Sequence, residues 1–117
     1  MIRLRLIIDD AKTVGTGFVL CQYINEENPS KGVNIIHAGA DKFKPGKTYS
    51  PVEAEAIALS RAMEACHHWI FYADPVMLFS DCSGLLDMKE EPLADISNVK
   101  IQKILEKAQN YHWNLNM

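Results

Sequence analysis

The chain has 117 residues, 48% apolar and 23% charged, and its twelve basic against fifteen acidic side chains leave a net charge of −3. That size and balance fit one domain with a sizeable core, and they fall outside disordered, fibrous and membrane-spanning compositions. No apolar run approaches the ~18 residues of a membrane span, no basic-plus-apolar leader opens the chain, and the acidic balance is unhelpful for gripping nucleic-acid phosphates. Three cysteines, Cys21, Cys66 and Cys82, are odd in number and widely spaced. They suggest neither a disulfide framework nor a zinc site, and a reducing, intracellular setting is expected.

Met1–Asp10 (MIRLRLIIDD) alternates apolar and polar residues, then ends in two aspartates. The alternation predicts a strand, and the continuous apolar stretch Leu6–Ile8 predicts one covered on both faces in mid-sheet. A carboxylate at the end of such a strand has a rigid support and still reaches solvent. Ala11–Gly17 reads as a turn and Phe18–Ile24 as a second strand, which so short a connection makes antiparallel to the first. Gly15-Thr16-Gly17 lacks the further glycine and the helix that a phosphate-cradling loop needs. Asn25–Gly32 is a polar loop and Val33–Ala38 a short third strand. His37 within it reads as structural, because no second ligand is spaced to join it. Asp41–Lys47 is basic and turn-rich.

Ser50-Pro51-Val52-Glu53 opens a helix, with Ser50 as N-cap, Pro51 at the first helical position and Glu53 completing a capping box. The helix is expected to run to about Cys66. At ~100° per residue, Val52, Glu55, Ala56, Leu59, Ala62, Met63 and Cys66 share one stripe. Glu55 is the intruder on that apolar face, whereas Glu53 points toward the side of Ser60 and Glu64. Ile57 falls on that same side, where a second helix is expected to cover it. His67 and His68 suit the helix C-terminus and face different ways, which argues against shared metal binding.

An aromatic hinge, Trp69–Tyr72, leads to a strand over Val76–Asp81 that again finishes in aspartate. The intervening helix lets this strand lie parallel to the first through a right-handed crossover. Cys82–Leu86 begins a short helix, Glu90–Ala94 is a loop, and Ser97 caps a helix whose inner face is Val99, Ile101, Ile104, Leu105 and Ala108. Tyr111–Leu115 starts a last strand. A glutamate facing the sheet within one turn of its helix start would meet the strand-end aspartates, and three carboxylates at one spot repel strongly. A divalent cation relieves this. Oxygen ligands without cysteine or histidine favour Mg²⁺ or Mn²⁺ over zinc, and two such ions about 4 Å apart suit phosphodiester hydrolysis.

Asp10-Ala11-x-x-x-Gly15-x-Gly17-x-Val19-Leu20, then Tyr49-Ser50-Pro51-x-Glu53-x-Glu55-x-x-Ala58, then Ser80-Asp81 resemble the RNase H domain of reverse transcriptases, above all those of gypsy-class LTR retrotransposons and retroviruses. The likeness continues through Pro92-Leu93-Ala94-Asp95 into the final helix. It implies an α/β, RNase H-like fold: a mixed five-stranded sheet, first three strands antiparallel and the fourth parallel to the first, with helices packed on it. It also implies endonucleolytic cleavage of the RNA strand in RNA–DNA hybrids, with two Mg²⁺ ions, or Mn²⁺ as substitute, held by Asp10, Glu55 and Asp81. Asp9 would point to the opposite face of its strand.

The implied partners are the hybrid and the polymerase domain of the same Pol polyprotein, with a homodimer as an open alternative and no membrane. The implied setting is the cytoplasm or a retroelement particle. Three departures weigh against this reading. Members of the family usually carry a fourth carboxylate in an Ala-Asp pair beyond the last strand, so residues 1–117 read as one RNase H-like domain incomplete at its C-terminus, and weak or absent cleavage is expected of it. Cys82 stands where many relatives have histidine, and the chain is acidic. A non-catalytic RNase H-fold connection or dimerisation module is therefore the alternative.

Overall fold

The computed structural model of the protein describes residues 3–11, 14–46, 49–72, 76–80, 99–111 and 113–115. Within them lie β1 (Leu4–Ala11), β2 (Gly15–Tyr23), a 3-10 turn (Pro29–Lys31), β3 (Val33–Lys42), α1 (Pro51–Ile70), β4 (Val76–Phe79), α2 (Val99–Ala108) and β5 (Trp113–Leu115). The five strands form one sheet in the order β3-β2-β1-β4-β5. β1 pairs antiparallel with β2 and parallel with β4, β2 pairs antiparallel with β3, and β4 pairs parallel with β5. The expected mixed sheet is present, with β1 at its centre. Helices α1 and α2 pack together, and the core they close contains Leu6, Ile8, Leu20, Val76 and Leu78 from the sheet. None of the described helices is long and apolar enough to cross a membrane.

The hairpin forms as expected, but its glycines do not make the turn. The Val14 amide donates to the Ala11 carbonyl at 2.9 Å, and Gly15 is already paired with Ala11 across the ladder. Gly15 is needed because a β-carbon there would collide with the backbone of Asp41. β3 runs to Lys42, four residues beyond its expected end at Ala38. Pairing with β2 explains the extension, since Gly15↔Lys42 and Thr16↔Asp41 continue the ladder. Partners across a sheet override the weak strand propensity of Gly39, Asp41 and Lys42.

α1 also outruns its expected end, reaching Ile70 rather than Cys66. Ile70 is fully buried in the core, and this burial carries the helix through Trp69. The N-terminus is as read: the Ser50 hydroxyl accepts from the Glu53 amide at 3.2 Å and donates to the Glu53 carboxylate at 3.0 Å. Ile57 is buried, but its described cover is not a helix. It packs with Ala54 and Phe43, backed by Tyr49, so the β3–α1 connection folds over that side.

The continuous apolar stretch in β1 misleads. Leu6 and Ile8 are buried while Ile7 is 42% exposed, and neither described helix packs on the outer face of the central strand. Val33 and Ile35 on the same side are 45% and 65% exposed. Arg5 on that face is held by two bonds to Glu26, both 2.9 Å, and lies over the Tyr23 ring. His37 is structural, stacked between Phe18 and Trp69 with ring centres 5.5 and 5.2 Å away. The segments read as a short helix at 82–86, a loop at 90–94 and a cap at Ser97 lie outside the described residues.

Candidate active site

Parity along β1 places Asp10 on the same face as Leu6 and Ile8, the face that α1 covers. The helix comes to that strand end with its first turn. Ser50 and Pro51 fix where the helix starts, so Glu55 sits one turn in, on the buried stripe. Arg61, two turns on, locks the helix over the sheet: its guanidinium donates to the Thr16 hydroxyl at 3.0 Å and lies 3.5 Å from the Asp41 carboxylate. Thr16 is the ladder partner of Asp10. Three separate features of the sequence therefore bring Glu55 to Asp10.

Glu55 is 2% exposed, and its Oε1 has no hydrogen-bond partner among the described residues. A buried carboxylate oxygen left bare costs free energy unless a proton or a cation satisfies it. Burial pushes the Glu55 carboxyl up to about 8. A hydrogen bond shared with Asp10 and the charges of Asp10 and Asp9 push the same way, while a hydrogen bond with Ser80 draws it down. Without a cation, the site keeps a proton on Glu55 at neutral pH.

The structure adds one residue to the cluster and leaves another open. Asp9, Asp10 and Glu55 each offer an oxygen, and the three atoms lie within 4.8 Å of one another. Asp9 was expected on the opposite face. It lies beside Ile7 and Val19 of that face, yet one of its oxygens reaches the cluster and its side chain accepts the Asp10 amide at 2.8 Å. The described β1–β4 ladder ends at Ile7↔Phe79, four residues before the end of β1. Ser80, which contacts Glu55, was legible only as part of the Ser80-Asp81 motif. Asp81 lies outside the described residues, as does Cys82.

A cation would fit. Around Mg²⁺, ligand oxygens at about 2.1 Å in an octahedron are ~3 Å apart when adjacent and ~4.2 Å apart when opposite. Oxygens within 4.8 Å of one another need only small side-chain adjustments to reach that span. The donor set is all oxygen, which matches Mg²⁺ or Mn²⁺. Cys21 and Cys66 are free and buried, and neither joins the cluster.

Comparison with protein-family models matches residues 4–111 to the RNase H-like domain found in reverse transcriptase. The chain belongs to that family. No curated protein matches it significantly. Among solved structures, this RNase H-like domain is similar to RNase H1 from the halophilic archaeon Halobacterium salinarum NRC-1, at a TM-score of 0.58 and 17% identity over 97% of this chain and 83% of that one. It is also similar to the N-terminal RNase H domain of Rv2228c from Mycobacterium tuberculosis, solved as a maltose-binding-protein fusion (TM-score 0.55, 10% identity, 97% and 79% covered). A third is LC11-RNase H1 in complex with an RNA/DNA hybrid (TM-score 0.52, 17% identity, 97% and 85% covered). Identities this low carry the fold alone.

Proposed function

We propose that this RNase H-like domain is a Mg²⁺-dependent endonuclease, with Mn²⁺ as substitute, that hydrolyses the RNA strand of RNA–DNA hybrids within a retroelement reverse transcriptase. The observation that carries this reading is Glu55, a buried carboxylate beside Asp10 with one oxygen that has no hydrogen-bond partner among the described residues. A structural acid would be exposed or paired, as Glu26 is with Arg5. Asp10, Glu55 and Asp81 are the proposed metal-binding carboxylates. Bound there, the ions would lower the pKa of an attacking water and stabilise the leaving oxygen.

The chain's own contribution is placement. β1 and α1 are both anchored in the core, so Asp10 and Glu55 approach the scissile phosphate from rigid supports. The contact with Ser80 helps fix the Glu55 carboxyl. Burial of Glu55 limits competing water around one ligand. The polymerase domain of the same polyprotein is the proposed source of much of the hybrid grip, because a net charge of −3 adds little attraction for phosphates.

The competing reading is a non-catalytic module of the same fold, and the exposed apolar Ile7, Val33 and Ile35 on the outer sheet face favour it. Gel cleavage of an end-labelled hybrid in Mg²⁺ and in Mn²⁺ separates the two. Weak metal-dependent cuts in the RNA strand are expected, and Glu55→Gln should abolish them while leaving the circular dichroism spectrum unchanged. A folded chain that leaves the hybrid intact in both metals would favour the module.

A further inference from the structure

We propose that Asp9 is an additional cation ligand of this site, joining Asp10 and Glu55 in a three-carboxylate set that β1 and α1 supply by themselves. The proposal rests on the cation-site reading above and adds to it a residue that strand parity assigns to the other face. Three observations carry it. An oxygen of Asp9 lies within 4.8 Å of oxygens of both Asp10 and Glu55. The Glu55 side chain is 2% exposed, and its Oε1 has no hydrogen-bond partner among the described residues, so a buried member of the group carries an unfilled acceptor. Among the described residues the ion pairs are Arg5–Glu26 and Arg61–Asp41, and neither involves Asp9, Asp10 or Glu55.

The Asp10 amide donates to the Asp9 carboxylate at 2.8 Å and so restrains that side chain alongside the end of β1. A carboxylate has two oxygens and about four acceptor positions, so accepting one amide leaves capacity for a cation. Asp9 is also the exposed member of the set, and Glu55 the buried one. A cation bound among them would therefore be anchored from below by Glu55 and reached from solvent past Asp9. Divalent-cation affinity in oxygen sites follows the number of ligand charges.

The test is Mn²⁺ binding to the metal-free chain, read by isothermal calorimetry and by the loss of free-ion paramagnetic resonance signal. Wild type, Asp9→Asn, Asp9→Ala and Asp10→Asn are compared, with folding of each checked by circular dichroism. Asparagine keeps an oxygen that can accept the Asp10 amide and removes only the charge. Asp9→Asn is expected to weaken Mn²⁺ binding about ten-fold, on the ligand-charge dependence of such sites. Wild-type affinity in Asp9→Asn, with loss in Asp9→Ala, would overturn the proposal by making Asp9 a backbone prop for Asp10. Wild-type affinity in both Asp9 variants, with loss in Asp10→Asn, would also overturn it and leave the cation site standing. Absence of Mn²⁺ binding by wild type would remove the cation site itself and the proposal with it.

Discussion

Glu55 is a helix residue whose ionisation is coupled to the stability of the whole chain. Its unfolded carboxyl titrates near 4.5, and in the folded chain burial pushes it up to about 8. Below pH 4.5 both states carry the proton and ionisation of Glu55 costs nothing. Between those values the unfolded state releases the proton while the folded state retains it. Stability of the metal-free chain is therefore lost as pH rises through this window, and the loss is complete above about 8. Thermal melts in EDTA from pH 5 to 9 should show the wild-type midpoint falling relative to Glu55→Gln, which has no charge to bury. A constant difference between the two would mean that Glu55 ionises as an ordinary glutamate. Two positions earlier, Glu53 has a different task. Glu53→Gln should retain cleavage, because glutamine can still accept from Ser50. An inactive Glu53→Gln beside an active Glu55→Gln would reverse the assignment.

Among the elements, α1 is held at one end by a cap and along its length by the core. Removing the hydroxyl in Ser50→Ala should cost about 1 kcal/mol in urea unfolding. The same change should loosen Glu55, which sits one turn inside the cap, and so raise the Mn²⁺ dissociation constant modestly. Gly15 makes an analogous demand on the β2–β3 ladder. Gly15→Ala places a methyl against the Asp41 backbone, and separating the strands there should cost about 1–3 kcal/mol. Far-UV circular dichroism with urea titration measures both. If Gly15→Ala were neutral, the close approach of β2 to the end of β3 would be wrong.

The sheet as a whole is helix-covered on one face among the described residues, and the site lies at the rim of that face. Cation binding and folding should therefore be linked. Mg²⁺ at 100 times its dissociation constant should add about 2.7 kcal/mol to stability, if the unfolded chain does not bind it. Scanning calorimetry across a Mg²⁺ series would show a rising midpoint, and Asp10→Asn should flatten it. A midpoint independent of both Mg²⁺ and Mn²⁺ would move the protein toward the non-catalytic module.

Much of this was legible one residue at a time. The alternation in Met1–Asp10, the Ser50-Pro51-x-Glu53 start and the stripe through Glu55 are local patterns, set by periods of 2 and 3.6 residues. They were enough to outline β1 and α1 and to mark Glu55 as the polar intruder on an apolar face, while the fold and the choice of Asp10 came from the resemblance of the motifs to reverse-transcriptase RNase H domains. Strand length was not local: β3 continues to Lys42 because β2 offers partners, and α1 continues to Ile70 because the core accepts it. Cover was not local either, since the same Leu6–Ile8 run suits a strand buried on both faces or on one. Asp9 is the clearest case. Alternation places its β-carbon away from Glu55, yet an oxygen of its carboxylate lies within 4.8 Å of oxygens of Asp10 and Glu55 and the side chain accepts the Asp10 amide. Periodicity sets the direction in which a side chain leaves the backbone, whereas the surrounding structure decides where its far end comes to rest.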